Sequence, residues 1–311
     1  MLRTALFLLS LPALPPTFAP WFHTDWWLVD LLACFPVQAG IVCLISTLLL
    51  GLFLRSWLAL PFLVGTLSAG VLVLPDMLLK HEPRPSSAIE VRALTINLLR
   101  ENTEHARTIE VITKLNPDLL FVSECTPEWA ARLESALNWL PHRSLHPDSG
   151  HFGVALFSRW PLEQAAVLRL GVDWAPALRA VVKTPGRPLG LIGVHPPAPI
   201  QPSWRVFRDQ ALADLRECLS ALPPERIVLG DFNATPWNAG MRRLLREAQL
   251  TSATNGGWHP TWPTDLPAFL RLPIDHVLVG GSIGMLSSEL GESTGSDHLP
   301  LLACLLLPAR L

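Results

Sequence analysis

Carboxylates, carboxamides and imidazoles can hold a metal, orient a water and move a proton. Residues 227–237, reading IVLGDFNATPW, place two such groups, Asp231 and Asn233, just after a short apolar run. Two residues apart on an extended chain, both can point into one pocket. An acid and an amide so placed can orient a water and bind a phosphoryl oxygen. Gly, Asp and Asn also favour turns for purely local reasons, so the weight comes from recurrence. Asn97 closes an alternating run at 91–96, Glu124 follows an apolar run at 119–122, and His195 ends a third at 189–194. Asp275 opens a run at 277–279, and the pair Asp297 and His298 precedes the apolar stretch 299–307. Taken singly, Glu124 or Asp275 reads as a cap, His195 as a half-buried histidine and Asp297-His298 as loop. Taken together, eight polar candidates stand where apolar strands begin or end, and ligand sites of layered sheet folds gather at strand ends.

Several carboxylates facing one pocket without a cation would be costly. A hard divalent ion resolves that cost, and Mg²⁺ takes one or two carboxylates together with water and substrate phosphate. Glu124 and Asp297 are the natural ligands, with Asn97 as a neutral oxygen donor. Such a metal polarises a phosphoryl oxygen and helps a leaving group depart. His298 can then hydrogen-bond the phosphoryl group while Asp275 fixes its tautomer. Asp231 can orient or deprotonate the attacking water. His151 and His259 read as structural histidines. Of Trp237 and Trp262, only Trp262, in the loop HPTWP, reads as a pocket wall.

The elements that must position these residues alternate strand and helix from residue 89 onward. Helices are expected over 103–115, 127–140, 203–219 and 239–248. Thr126 before Pro127 reads as an N-cap with Pro at the first helical position, and Ser203 as the cap of the third helix. The chain before residue 80 is different. Half of all 311 residues are apolar, and they concentrate there. The stretches 28–54 and 57–79 each supply the ~20 apolar residues that a bilayer span needs. The stretch 2–18 is interrupted by Pro12, Pro15 and Pro16. It reads as a kinked first span or a signal-peptide-like segment, without a convincing small-residue cleavage site. Residues 1–80 are thus expected to hold two to three transmembrane helices, 81–88 a Pro-rich linker, and 89–311 a catalytic domain. Asp30, Trp21, Trp26 and Trp27 are expected at the water–lipid interface. Arg3 and Arg55 flank the spans and favour the inside, which puts the globular part outside.

The formal net charge is −2, with no basic stripe. That argues against tight, sequence-independent nucleic-acid binding, which rests on phosphate neutralisation. A small phosphate-containing substrate stays open. The five cysteines form no CxxC pair and read as buried free thiols.

The assembled set resembles the endonuclease/exonuclease/phosphatase superfamily over residues 89–311. The pieces that carry the resemblance are TINL with Asn97, PDLLFVSE with Glu124, GVALFSRWPL, GVH with His195, GDFNATPW with Asp231 and Asn233, IDHVLVG with Asp275, and GSDHLPL with Asp297 and His298. The resemblance implies an α/β fold, a four-layer α/β sandwich of two packed β-sheets flanked by helices, here preceded by an N-terminal helical membrane region. It implies Mg²⁺- or Mn²⁺-dependent phosphoester hydrolysis. Glu124 would be the principal metal ligand, assisted by Asn97 and Asp297. Asp231 and Asn233 would position the water and stabilise the transition state. Asp275 and His298 would act on the scissile phosphate, with His195 as a second phosphate contact or acid. The apolar segments ahead of the domain resemble bacterial membrane-anchored members, which implies a multi-pass protein of the bacterial inner membrane with its catalytic domain extracytoplasmic. The substrate is then a phosphoester: nucleic acid, phospholipid headgroup or small phosphate ester. The lipid bilayer is the other partner, and no protein partner is inferable.

Two departures argue against a DNA repair nuclease. Some abasic-site enzymes carry an acid where this chain has Leu99, and they use a pocket Tyr where this chain has none. The alternative is a catalytically inactive membrane scaffold that retains the fold; the intact acid and histidine set argues against it. The stretch GGSIG at 280–284 matches the G-x-S-x-G of serine hydrolases, but no oxyanion motif precedes it and the match reads as chance.

Overall fold

The structure, a computed structural model, describes residues 1–22, 26–78, 87–254 and 257–310. The expected linker at 81–88 lies outside them except for Ser87 and Ala88. In chain order the strands are β1 (Ala88–Asn97), β2 (Leu119–Ser123), β3 (His142–His146), β4 (Val154–Ser158), β5 (Leu162–Arg169) and β6 (Pro176–Val182). There follow β7 (Leu189–Val194), β8 (Arg226–Asp231), β9 (Thr251–Ser252), β10 (Asp275–Gly280), β11 (Gly284–Leu290) and β12 (Leu301–Pro308). They form two six-stranded mixed sheets, ordered β11-β12-β1-β2-β4-β3 and β5-β6-β7-β8-β10-β9.

The central strands are apolar on both faces and are buried on both. One face of each sheet meets the other sheet in a core that includes Phe121, Leu156, Leu191 and Leu229. The helices sit on the outer faces. Near the N-terminus lie α1 (Leu2–Ser10), α2 (Leu14–Phe18), α3 (Trp27–Leu32), α4 (Pro36–Thr47) and α5 (Leu60–Leu78). Then come α6 (His105–Leu115), α7 (Pro127–Ala136), α8 (Pro202–Leu219) and α9 (Ala239–Glu247). Ile112 of α6 and Trp129 and Leu133 of α7 cover the first sheet. Leu212 and Leu215 of α8 and Met241 and Leu244 of α9 cover the second. The order is helix, sheet, sheet, helix: the four-layer sandwich expected.

Thr126 caps α7 as expected, its Oγ1 accepting from the Trp129 N–H at 3.2 Å. Ser203 does not cap α8; Gln201 holds that position without a side-chain cap, and Pro202 begins the helix. Proline has no N–H to satisfy there and its fixed φ suits the first turn. The GGSIG stretch is the tight link between β10 and β11, at the end of β10 opposite Asp275.

Three helical stretches, Leu2–Trp21, Pro36–Phe53 and Trp57–Leu78, are long and apolar enough to cross a membrane. The run at 28–54 is not one helix. α3 ends at Leu32, and Pro36 starts a new helix, because proline cannot donate the bond that would carry α3 onward. This separates residues 27–35 from the apolar stretch and turns them against the sandwich. Asp30 is therefore not at an interface with lipid. It is 7% exposed, and its Oδ2 accepts from Arg208 Nη2 at 2.8 Å and its Oδ1 from Asn238 Nδ2 at 3.1 Å. Arg208, on α8, is itself fully buried. Gln38 donates to the Arg271 carbonyl at 3.1 Å, Arg242 donates to the Pro20 carbonyl, and Leu72 and Val73 pack on Trp237. The helical region and the sandwich are thus joined by buried polar contacts as well as apolar ones.

Candidate active site

The strand directions put the polar candidates at one end of both sheets. β1 and β2 run parallel, as do β7 and β8, so Asn97, Glu124, His195 and Asp231 emerge together. β10 runs antiparallel to β8, and its first residue, Asp275, pairs across with Asp231. β12 runs antiparallel to β1, with Leu301 opposite Thr95, so the Asp297-His298 turn arrives at the same rim. That turn is tied down: Ser296 Oγ donates to the Asn97 carbonyl at 2.7 Å and accepts from the His298 N–H at 3.0 Å. Gly230 turns Asp231 inward at φ 143°, where a Cβ would lie 2.0 Å from the Val194 carbonyl oxygen. Only glycine fits there.

The structure brings Asn97, Glu124, His195, Asp231, Asn233, Asp297 and His298 to the lining of one cavity of ≈ 460 Å³. Asp275 stands directly behind His298, its Oδ2 2.7 Å from Nδ1. That bond leaves His298 Nε2 facing the cavity, 3.7 Å from Asp231 Oδ2. Burial disfavours a charge on His298, but the carboxylates of Asp275 and Asp231 outweigh it and push the imidazole up to about 10. Burial pushes the Asp231 carboxyl up; His298 and His195 pull it back and Asp275 adds to the rise. His195 Nε2 lies 3.6 Å from Asp231 Oδ2. Asp231 Oδ1 accepts from the Asn233 N–H at 2.8 Å, which fixes the loop that follows.

Glu124 adopts a left-handed backbone at φ 55°, a conformation that costs a non-glycine residue roughly 1–2 kcal/mol and recurs at functional sites. Its carboxylate accepts from Asn97 Nδ2 at 3.1 Å, from the Arg100 N–H at 3.0 Å and from His151 Nδ1 at 3.2 Å. Burial raises its carboxyl, and His195 with these donors more than reverses that, so it lies below the usual carboxylate range. Asp297 Oδ2 accepts from Trp262 Nε1 at 2.9 Å, which places Trp262 in the wall. Trp237 is instead core, stacked on Trp258 at 6.2 Å.

Two expectations need amendment. Asn97 presents its amide nitrogen, not its oxygen, to the acids: Nδ2 also donates to Asp231 at 3.2 Å, while Oδ1 accepts from the Leu99 N–H. His151 is not merely structural. It bonds Glu124, and ligand atoms of Glu101, Glu124 and His151 lie within 4.8 Å of one another. His151 stands three residues before β4, so the strand-boundary rule applied to the other candidates would have found it.

The donor set suits a hard cation. Glu124, Asp231 and Asp297 put three carboxylates on one cavity, with Asp275 close behind. Among the described residues no hydrogen bond reaches Asp275 Oδ1 or His195 Nδ1. Oxygen ligands of this kind suit Mg²⁺ or Mn²⁺ better than softer metals.

His276, beside the site, holds the Asp231 loop by a 2.8 Å contact from Nε2 to the Ala234 carbonyl. Burial lowers its imidazole below the ordinary 6.5, against the smaller upward pull of the Ala234 bond and Asp275. From pH 6.5 down to that lowered value the unfolded chain holds a proton that the folded chain does not. Stability therefore falls as pH falls through this window. His276→Gln is expected to flatten the loss of thermal midpoint between pH 7 and 5, measured by scanning fluorimetry of the full chain in detergent; an unchanged slope would refute it.

The family described as Endonuclease/Exonuclease/phosphatase family matches residues 94–298. Among solved structures, an endonuclease/exonuclease/phosphatase from Beutenbergia cavernae is 18% identical, covers 72% of this chain and 72% of its own, and superposes with a TM-score of 0.58. The human Nocturnin catalytic domain with bound sulfate is 20% identical, with 73% and 96% covered and a TM-score of 0.56. Zebrafish (D. rerio) TDP2 complexed with a single-strand DNA product is 14% identical, with 70% and 98% covered and a TM-score of 0.58. At these identities the likeness is one of fold. No curated protein matches the chain in sequence.

Proposed function

The chain belongs to the endonuclease/exonuclease/phosphatase family, and from that membership we propose that it is a membrane-anchored, divalent-metal-dependent phosphoester hydrolase. The observation that carries this is the convergence of Asn97, Glu124, His195, Asp231, Asn233, Asp297 and His298 on one cavity. We assign residues 1–80 to the membrane anchor and 89–311 to the catalytic domain. Arg3 and Arg55 stand at the span ends opposite those that meet the sandwich near Pro20, Gln38 and Val73; by the positive-inside rule this supports our reading of a catalytic domain outside a bacterial inner membrane.

Glu124 and Asp297 would hold Mg²⁺ or Mn²⁺, and the Asn97 amide, which donates to Glu124 and Asp231, would steady both acids beside it. Bound there, the ion polarises a phosphoryl oxygen and offsets leaving-group charge. The chain's own groups supply the rest. Asp231 orients a water and accepts its proton. Asn233 sits beside it to position the water and share the developing charge. His298, held in one tautomer by Asp275, offers its Nε2–H to a phosphoryl oxygen. His195 is placed to make a second phosphate contact or to protonate the leaving oxygen. One P–O bond forms from the water, the ester P–O bond breaks, and the departing alkoxide takes up a proton.

The test is hydrolysis of bis-p-nitrophenyl phosphate and p-nitrophenyl phosphate by the full chain in detergent. EDTA is expected to abolish turnover and Mg²⁺ or Mn²⁺ to restore it, with the diester-to-monoester ratio narrowing the substrate. Folded protein that hydrolyses neither ester with either metal would overturn the proposal and leave the inactive scaffold.

A further inference from the structure

Resting on the hydrolase reading, we propose that the apolar half of the catalytic cavity is a subsite for the hydrocarbon part of a phosphate ester held in the lipid bilayer. The cavity lining is of two unlike kinds. One is polar and includes Glu124, Asp231, Asp297 and His298. The other is apolar and includes Leu31, Phe35, Ile200, Leu272 and Ile274, of which Phe35, Leu272 and Ile274 pack as one cluster. Leu31 and Phe35 come from the short segment that leads into Pro36, the first residue of a stretch apolar enough to span a membrane. This wall therefore stands where the chain would enter the bilayer.

Further contacts fix that height. Gln38, two residues into the apolar stretch, donates to the carbonyls of Phe269 and Arg271. Phe269, whose carbonyl Gln38 reaches, is 56% exposed, and Ile200, on the cavity lining, is 68% exposed, so hydrophobic side chains stand bare both beside the first helical turn of the span and on the cavity. Trp21 and Trp26, at the neighbouring chain reversal, are also exposed, as expected of side chains at a lipid headgroup layer. Two further crossings, by the spans that begin at Pro36 and Trp57, return the chain to the side where residues 26–35 lie, so the wall and the sandwich share one face of the membrane.

The occupant this geometry fits has a phosphate that reaches Glu124 and His298 and an apolar stem that lies along Leu31 and Phe35 toward the bilayer. A nucleic-acid strand fits less well: among the described residues no Lys or Arg lines the cavity, and strand binding relies on cations along the backbone.

The test uses full-length protein in phosphatidylcholine nanodiscs and two soluble diesters, methyl and hexyl p-nitrophenyl phosphate. Each methylene taken out of water favours the longer ester by about fourfold. With only part of the chain enclosed, kcat/KM for the hexyl ester is expected to exceed that for the methyl ester by at least about tenfold. Leu31→Ser, Phe35→Ser and Ile200→Ser are each expected to bring that ratio toward one. Ile200 is exposed on a loop, so its variant keeps the test valid if a wall variant fails to fold. A ratio near one in the wild type would overturn the proposal. So would a high ratio that all three variants keep, which would mark simple partition into lipid, or faster cleavage of an oligonucleotide than of the hexyl ester. Hydrolysis of neither diester would instead bring down the hydrolase reading, and this proposal with it.

Discussion

Glu124→Gln is expected to reduce metal-dependent turnover of bis-p-nitrophenyl phosphate by on the order of 10³-fold, the several kcal/mol a Lewis acid contributes at tenfold per 1.36 kcal/mol. The substitution keeps the shape and one acceptor oxygen. It removes the charge that, in our proposal, holds the cation. The fold is expected to survive, because Glu124 follows β2 and lies outside the packed core. The carboxylate accepts from Asn97, the Arg100 N–H and His151, so the Gln variant must turn one donor away and will loosen that corner only locally. The checks are kcat/KM over a Mg²⁺ or Mn²⁺ titration and metal affinity by calorimetry. Loss of activity with metal binding intact would move Glu124 from the metal to the water or phosphate. Undiminished activity would remove it from the site.

Arg208→Met is expected to cost about 3–5 kcal/mol, the usual consequence of stranding one partner of a buried ion pair. At about 2–4 °C per kcal/mol for a domain of this size, the thermal midpoint falls by roughly 6–20 °C. Arg208 is fully buried, and its guanidinium reaches Asp30 at 2.8 Å, Asp209 at 2.6 Å and the Asn233 carbonyl at 3.4 Å. Burial opposes its charge, but Asp30 and Asp209 hold the guanidinium above its ordinary value. Among the described residues, removing it leaves Asn238 as the hydrogen-bond donor to the Asp30 carboxylate and also frees the loop that carries Asn233. Activity is therefore expected to fall with stability. The double variant Asp30→Leu with Arg208→Met is expected to regain most of the midpoint, because apolar groups can replace a buried pair at little cost. It would not regain the Asn233 contact. A single variant as stable as the wild type would show that the pair contributes nothing to docking.

The central strands and their polar ends were legible in the sequence, because residues such as 119–122 and 189–194 are apolar throughout and end at Glu124 and His195. The strands that escaped were β3, β5, β9 and β11, which are the four sheet edges. An edge strand has one neighbour and a solvated side, so HRSLH in β3 and LEQAAVLR in β5 carry polar residues that blur the pattern. β9 is two residues long, too short to show any period. Asp30 was misplaced for a different reason. Its partners Arg208 and Asn238 lie far along the chain, and nothing in the local pattern of 28–54 announces them. The same is true of Leu31 and Phe35, which look like ordinary span residues until the Pro36 break turns them toward the cavity. His151 was passed over because a histidine beside Asp148, Ser149 and Gly150 looks like a loop residue.

The boundary near residue 88 marks a change of composition, but the working unit crosses it. Cutting the chain there would remove Leu31, Cys34 and Phe35 from the cavity and leave Arg208, Leu272 and Ile274 facing water. A soluble fragment of the sandwich would differ from the whole: open on one side, prone to self-association through its bared patch and, if our proposal holds, poorer at telling one ester from another. In this chain the N-terminal helical region supplies part of the cavity wall, and a residue changed there is to be weighed as a change to the candidate site.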